Sequence, residues 1–414
     1  MRAALLALSL AAAPAFAQDE DALSIADKAP MAPEQSRDWR FFTEGALRTW
    51  DKQGTDERQS GERLSFDFRY DGALTPRLRA VFADRLDMNR YGAGVPGDGN
   101  VNTWKEGYLS WQAKPDLLAD LGRINVRNGV AFGYNPTDYF KANAVRSVVS
   151  VDPASLRENR MGSVMARGQA LWTTGSFTAL VSPKLADDPD TGAYSPDLGA
   201  TNLRDRWLLA LSHKVSAGVA PQWLLFGGAG QAPQLGLNLT SLVGNATVAY
   251  VEWSGGRSRS LAAQAGIAPD DEAFRSRLAT GATYTTTANL SLTIEVQYNG
   301  AGLDEAGWNT LRYGAPAFYR QYRLFVAAVQ DPPTRQLGFA YALWQDALVK
   351  HLDLAAMLRY DATDHSRLQW LEARYHFSRA DVALQGQYNS GDATSSFGAP
   401  YERRAWQLLL RYFL

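Results

Sequence analysis

The chain has 414 residues, with 42 basic and 43 acidic side chains and no cysteine. This near-neutral charge argues against a polybasic nucleic-acid binder, and the absence of thiols excludes disulfides and thiolate metal sites. No apolar run of about 18 residues follows the N-terminal segment, so the composition also argues against a helical membrane protein.

The N-terminus has the pattern of a secretory signal peptide. Arg2 precedes an apolar run over residues 3–12, and a small-x-small cleavage site ends at Ala17. Cleavage would remove one positive charge, leaving 41 basic and 43 acidic side chains and a net charge of −2. Residues 18–38 are polar and show no strand period, which predicts a short periplasmic lead rather than a domain.

From residue 39 onward, apolar residues recur at every second position in many segments, as they do in strands with one apolar face. Leu64, Phe66, Phe68 and Tyr70 share one face of a predicted strand. Short turns alternate with long loops. The predicted short turns are at residues 173–175, 217–218, 244–245, 287–289 and 378–380, and the predicted long loops are at 128–161, 184–205, 255–274, 299–319 and 389–404.

This alternation predicts an all-β fold, a transmembrane antiparallel β-barrel over residues 39–414. A direct tally gives about 19 segments, but a chain that starts and ends on the same side needs an even number. The conflict lies between residues 299 and 352, where 331–334 and 346–351 each fit an internal or an external turn. We therefore predict about 18 strands, within a range of roughly 16 to 20.

The last nine residues form a strand with a wholly apolar face and an aromatic side chain near the free carboxylate. The face consists of Trp406, Leu408, Leu410, Tyr412 and Leu414. This pattern resembles the C-terminal strand of bacterial outer-membrane β-barrels, although that family usually ends in Phe and Phe413 is penultimate here. The resemblance implies an outer-membrane location, contact with its lipid, recognition by the barrel assembly machinery and closure against the first strand.

The most distinctive segment lies between residues 122 and 160. It contains Gly122-Arg123, a Gly-rich bend and the element Asn135-Pro136-Thr137-Asp138. The segment is similar to several families of uncharacterised or export-related Gram-negative barrels, including those near the alginate-export porins. The resemblance implies a porin-like barrel and says little about its substrate.

A loop as long as residues 128–161 needs a role in a compact fold, such as a lid or a constriction. Its charges could form an eyelet within the lumen, or they could be solvated on an external loop. The apolar stretch 148–151 needs burial, which favours an inward position. The candidate residues in the loop are Asp138, Lys141, Arg146, Arg157, Glu158 and Arg160.

Six arginines fall opposite the apolar faces and are predicted to line the lumen. A lipid-facing Arg at the bilayer midplane would cost about 2 to 4 kcal/mol, which explains the placement. They could be free for anionic solutes, or paired with carboxylates such as Asp67 and Glu106. The six are Arg69, Arg77, Arg79, Arg85, Arg123 and Arg127.

No catalytic, cofactor or metal motif stands out, and the four histidines are scattered. We therefore predict a non-enzymatic passive channel for small polar or anionic solutes, narrowed by the long loop. Two alternatives are an export channel for a secreted polysaccharide and a structural or adhesive barrel with a closed lumen. The sequence does not distinguish a monomer from a trimer.

Overall fold

The protein forms one closed β-barrel. The computed structural model describes residues 37–55, 57–216 and 218–414, and these contain 18 antiparallel strands in a single sheet. Each strand pairs with its neighbours in sequence, and β18 pairs with β1, so the sheet closes. The predicted all-β fold and strand number are confirmed. The predicted signal peptide and nearly all of the predicted lead lie outside the described residues.

The strands are β1 Trp39–Lys52, β2 Arg58–Thr75, β3 Leu78–Arg90, β4 Gly99–Lys114, β5 Leu117–Ile124, β6 Ser163–Trp172, β7 Gly175–Ser182, β8 Arg206–His213, β9 Gln222–Gly228, β10 Gln231–Val243, β11 Thr247–Ser258, β12 Ala273–Thr285, β13 Leu290–Asn299, β14 Gln336–Trp344, β15 Leu352–Asp361, β16 Arg367–His376, β17 Ala380–Ser390 and β18 Glu402–Phe413. The helices are α1 Pro153–Glu158, α2 Leu261–Gln264, α3 Glu305–Arg312 and α4 Pro316–Val329.

Connections at the two ends of the barrel differ in length. Trp39, the first residue of β1, and Phe413, the last residue of β18, lie at the end of the barrel where the connections are short. This end is here called the turn end. The opposite end, here called the loop end, carries the long connections 125–162, 183–205, 259–272, 300–335 and 391–401. The alternation predicted from the sequence is therefore present, with some boundaries shifted.

One segment of the tally was wrong because it is helical. Residues 316–329 form α4, which begins with Pro316 at a position where a missing N–H costs nothing. Tyr322 and Val326, four residues apart, face the same side and are buried. The long connection therefore extends to residue 335 rather than ending near 319, and the strand number is even.

The outer face of the barrel is apolar. The five alternating residues of β18 and its end are all at least 43% exposed, as predicted from their period, whereas Gln407 and Leu409 between them are buried. Exposed aromatic side chains lie near the turn end, among them Trp111, Trp172 and Trp223. Others, including Trp406 and Phe274, lie near the loop end. An apolar band flanked by two girdles of aromatic residues is the surface that a bilayer requires.

The helices of the loop end pack on one another. Leu261 of α2, Trp308 of α3 and Tyr322 of α4 belong to one buried cluster, and each is at most 1% exposed. No helix in residues 37–55, 57–216 or 218–414 is both long and apolar enough to cross a membrane.

The closing strand gives a first prediction. Deleting residues 412–414 removes the pairs of Thr43 with Tyr412 and of Phe42 with Phe413, and the bond that Leu414 N donates to Phe41 O. We expect the heat-modifiable folded form to disappear from outer-membrane fractions, as seen by gel mobility with and without boiling. Tyr412→Phe keeps the aromatic ring and should fold normally. Normal folding of the truncated chain would contradict the closing role of this strand.

Candidate functional site

The connection from β5 to β6, residues 125–162, lies inside the barrel and is here called the inward loop. Its residues contact inward-facing side chains of strands on several sides. Glu158 Oε1 is 2.9 Å from Arg40 Nη2 of β1, and Val149 O accepts a hydrogen bond from Arg63 Nη1 of β2. Tyr341 OH of β14 lies 3.3 Å from Asp152 Oδ1. The loop is therefore anchored to the wall at separate points.

Glu252 of β11 provides the first strong anchor. Its carboxylate, 0% exposed, accepts backbone N–H bonds from Val130, Ala131 and Thr137 at 2.8 to 3.0 Å. It also accepts bonds from Asn135 Nδ2 at 3.0 Å and Thr137 Oγ1 at 2.9 Å. A buried carboxylate is tolerated only when its lone pairs are satisfied, and here the loop satisfies them.

Glu295 of β13 provides the second anchor beside the first. The N–H groups of Phe132 and Tyr134 lie 2.8 and 3.1 Å from its carboxylate oxygens, and Gly133 N lies 3.2 Å from both. Tyr250 OH and Gln297 Nε2 complete its shell at 2.9 and 2.7 Å. Together the two carboxylates bind the backbone of residues 130–137, which is here called the anchored segment.

The backbone conformation of Gly129 and its closeness to Glu252 require a glycine near the start of the inward loop. Its φ of 109° is a backbone conformation that side chains disfavour, and a Cβ there would lie 2.6 Å from Glu252 Oε2. Only glycine lets the chain turn this close to the carboxylate. The Gly-rich bend singled out in the sequence is therefore a requirement of the first anchor.

The six candidate charges of the loop are engaged in contacts. Arg160 pairs with Asp138 at 2.5 Å and Lys141 pairs with Asp331 at 2.8 Å. Arg146 donates to Ser195 O and Gly192 O, both at 2.8 Å, in the connection between β7 and β8. Arg157 donates to Ala131 O at 2.6 Å, and Glu158 pairs with Arg40 as described above. Asp138, Arg157 and Arg160 thus bind other residues of the loop, whereas Lys141, Arg146 and Glu158 connect the loop to its surroundings.

The surroundings shift the pKa of several loop carboxyls. Burial alone would raise the pKa of Glu158, but the positive charges of Lys105, Arg40 and Arg411 lower it to about 2. Burial likewise opposes ionisation of Asp331, yet Lys141 and Arg277 hold its pKa below the usual value. For Asp152 burial dominates, and its pKa is raised. Glu158 is thus a permanent negative charge at neutral pH.

The six arginines that were predicted to line the lumen do not form a free cationic lining. Arg85 is 1% exposed and lies 3.0 Å from Glu44 and 2.9 Å from Asp87. Arg69 pairs with Glu106 and Asp71, and Arg79 also pairs with Asp71. These contacts match the second of the two alternatives above, in which the arginines are paired with carboxylates.

The other three arginines also differ from the expected placement. Arg123 donates to the carbonyls of Pro196 and Asp197 at 2.7 and 2.6 Å, so it supports a loop-end connection. Arg77 is exposed in the turn between β2 and β3. Arg127 follows the end of β5 and belongs to the inward loop rather than to a strand.

A cavity of about 770 Å³ lies between the inward loop and the turn end. Phe132, Asp152 and Glu158 of the loop line one side of it. Its other end is marked by Lys214, just after β8, and by Leu242, near the end of β10. The part of the wall from β10 to β13 contributes hydroxyls. These are Thr240, Ser241, Thr283, Thr285, Ser291 and Thr293.

Carboxylates outnumber cations in the cavity lining. The six carboxylates are Glu44, Asp152, Glu158, Asp353, Glu372 and Asp381, and the three cations are Lys214, Arg374 and Arg411. Of the twelve candidate residues from the sequence, all in the described ranges, only Glu158 lines this cavity. His376 lies nearby, with Nδ1 2.8 Å from Asp381 Oδ1. Nowhere in the described part of the chain do three or more His, Asp or Glu side chains form a group that could hold a metal ion.

Sequence reasoning missed Glu252 and Glu295, which hold the loop. The two-residue period was a usable signal, because Glu295 lies between outward Ile294 and Val296 and must face inward. Nothing local reveals its partner, since the bonds connect residues more than 100 positions apart. A carboxylate facing inward beside apolar neighbours was therefore visible, but its role was not.

These features define a closed antiparallel barrel of 18 strands whose lumen contains one of its own loops. The fold is similar to that of Acinetobacter baumannii OccAB1, with a TM-score of 0.56 over 93% of this chain and 99% of that one. Pseudomonas aeruginosa OccK11 (OpdR) gives a TM-score of 0.52 over 91% of this chain and 96% of that one. Sequence identity is 10% in both cases, so the likeness concerns the fold.

A triple mutant of the Rhodopseudomonas blastica porin also matches, at 10% identity over 91% of this chain and 99% of that one, with a TM-score of 0.44. No protein-family model and no curated protein matches the sequence. The resemblance to alginate-export barrels stays a prediction.

The two anchors give a second prediction. Glu252→Gln and Glu295→Gln each replace an acceptor oxygen by an NH₂ group that faces N–H donors, at about 1.5 to 3 kcal/mol per lost charged bond. We expect trypsin to cleave the detergent-solubilised variants at Arg127 and Lys141 faster than the parent, while the barrel stays heat-modifiable. Glu305→Gln, on the exposed start of α3, is the matched control. Equal cleavage rates in parent and variants would rule out the anchoring role.

Proposed function

We propose that the protein is a passive diffusion channel for small polar solutes in the outer membrane of Gram-negative bacteria. The observation that supports this most directly is the cavity of about 770 Å³ beneath the inward loop, which charged and hydroxyl side chains line together with apolar ones. A cavity lined by hydroxyls, carboxylates and arginines holds water and hydrated solutes, whereas a closed structural barrel would fill the same space with packed side chains.

The exposed surface supports a membrane position. Its apolar band with aromatic side chains near both ends fits a bilayer, and the closed sheet leaves no unpaired strand edge in lipid. The turn end then faces the periplasm and the loop end faces outward, as short and long connections do in outer-membrane barrels. The inward loop narrows the lumen between these two ends.

The cavity favours cations over anions. The expected anion preference depended on free arginines, and those on the strands have partners instead. Six carboxylates against three cations give the lining a negative balance, so hydrated cations should enter more readily. The preference is modest because Glu44 and Glu372 are each paired with arginine.

A third prediction tests this preference. In planar bilayers under a salt gradient, the parent channel should show a reversal potential on the cation side, and the preference should shrink as salt rises. Glu158→Gln removes a charge from the lining and leaves Arg40 without its carboxylate, so it should move the potential towards anions. Asp187→Asn, in an exposed loop-end connection, should leave it unchanged. An anion-selective parent would refute the charge argument.

A fourth prediction concerns the narrowing. Replacing residues 141–155 by a short Gly/Ser linker keeps the anchored segment and the barrel strands, whose backbone bonds the loop does not supply. We expect a folded barrel with markedly higher single-channel conductance and, in cells, greater sensitivity to large antibiotics. As a control of nearly the same length, residues 259–272 in the connection between β11 and β12 can be replaced in the same way. A conductance equal to the parent's would contradict narrowing by this loop.

Export of a polysaccharide is the second candidate function. The hydroxyl-rich wall from β10 to β13 favours it, because sugar rings are recognised by hydroxyls and aromatic faces. A diffusion channel should pass monosaccharides in liposome swelling assays, whereas an exporter should be required for secretion of a polymer. A barrel that gives no conductance at all would instead be structural or adhesive.

A further inference from the structure

A second, smaller space adjoins the cavity and indicates where the path continues. It measures about 30 Å³, roughly the room that one water occupies in the liquid. Four residues line both spaces. They are Val149 and Ser150 of the inward loop, Trp370 of β16 and Gln385 of β17. The two spaces therefore meet between the loop and this part of the wall.

The order of residues along the strands shows that the small space lies towards the loop end. Besides the shared residues it is lined by Arg48, Gln387 and Gln407. Gln387 follows Gln385 on β17, which runs from the turn end to the loop end, and Gln407 precedes Leu409 on β18, which runs the opposite way. The shared residues thus separate a wide compartment from a narrow one along the barrel axis.

The neighbouring wall, which follows β18 and β1 around the barrel, is filled by ion pairs. Arg63, Asp67, Arg85 and Asp87 of β2 and β3 are each at most 3% exposed, and Lys105 of β4 is 4% exposed. They bind one another and Glu44, with Lys105 Nζ 2.6 Å from Asp67 Oδ2. A path on this side would have to break several buried charge pairs, which is costly.

We propose that solutes cross the barrel between residues 148–151 of the inward loop and the wall formed by β16 to β18, and that Val149, Ser150, Trp370 and Gln385 form its aperture. This inference rests on the proposed channel function. Trp370 is held in a buried cluster with Phe339 and Met357, so the wall side of the aperture is rigid. The loop side, in which Val148 is 55% exposed, sets the opening.

The aperture is narrow and has an apolar side chain on its loop side, so we expect it to select solutes by size and polarity. Val149 presents methyl groups, whereas the Gln385 amide is engaged: it donates to Glu372 Oε2 at 2.5 Å and accepts from Gln407 Nε2 at 3.2 Å. The aperture therefore admits solutes that are compact and partly apolar over those with full hydration shells. The carboxylates of the cavity select by charge, and the aperture selects by size. The two filters are therefore formed by different residues.

The chain contains no cysteine, so single thiols can map the path without background. Ser150→Cys and Gln385→Cys place a thiol at the aperture, Ser291→Cys places one in the wide cavity, and Ser65→Cys places one behind the ion pairs. Each variant is inserted into planar bilayers, checked for heat-modifiability, and treated with a sulfonatoethyl methanethiosulfonate and its trimethylammonium analogue.

We expect modification of Ser150→Cys and Gln385→Cys to lower single-channel conductance at least about twofold, because the added group fills a space near one water in size. Ser291→Cys should react with little effect, and Ser65→Cys should not react. Val149→Ala, which needs no reagent, should raise conductance.

The possible failures are distinct. A folded parent without conductance would refute the channel function itself. A conducting parent that is insensitive to modification at the aperture, or that is blocked through Ser65→Cys, would overturn this path and leave the channel function standing. If a thiol variant does not fold, an unchanged conductance of Val149→Ala overturns the path in the same way.

Discussion

The interior of this barrel depends on two buried carboxylates that bind backbone N–H groups. Glu252 and Glu295 together accept bonds from six main-chain amides of the anchored segment, at residues 130–134 and 137. A carboxylate in this position would be strongly destabilised without donors, and a loop inside a barrel would leave its amides unsatisfied without acceptors. The loop amides supply the donors that the carboxylates need, and the carboxylates supply the acceptors that the amides need. Most of these donors are backbone groups, so Val130 and Tyr134 of the segment can pack against Tyr250 of the wall.

This anchoring divides the lumen into unequal parts. The anchored segment is bound to β11 and β13, and the loop then crosses towards β1 and β2, where Arg40 and Arg63 bind Glu158 and the Val149 carbonyl. The side of β2 to β4 is closed by mutual ion pairs, whereas β16 to β18 face the loop with amides and an aromatic ring. Charges of the strands therefore seal the lumen on the side of β2 to β4, and the cavity remains along other strands, including β10 to β13 and β15 to β18.

The sequence predicted the fold much better than the site. Alternation fixed the outward faces and the barrel class, because lipid requires every strand to obey the same period. It failed at residues 316–329, where Pro316 and the spacing of Tyr322 and Val326 indicate a helix that the strand count overlooked. For the site, the alternation puts Arg69 and Arg85 on faces opposite the apolar ones. It could not show that Glu106 and Glu44 neutralise them, because those contacts join strands across the sheet.

The positions of the anchors along the chain constrain when the loop can dock. The anchored segment precedes Glu252 and Glu295 by more than 100 residues, so its acceptors do not exist until β11 and β13 have joined the sheet. Until then the segment must be hydrated, and the two carboxylates must also face water. The loop can therefore make these bonds only after β11 and β13 are in place. Because its bonds are separate from the strand ladders, docking can shape the lumen without determining whether the barrel forms.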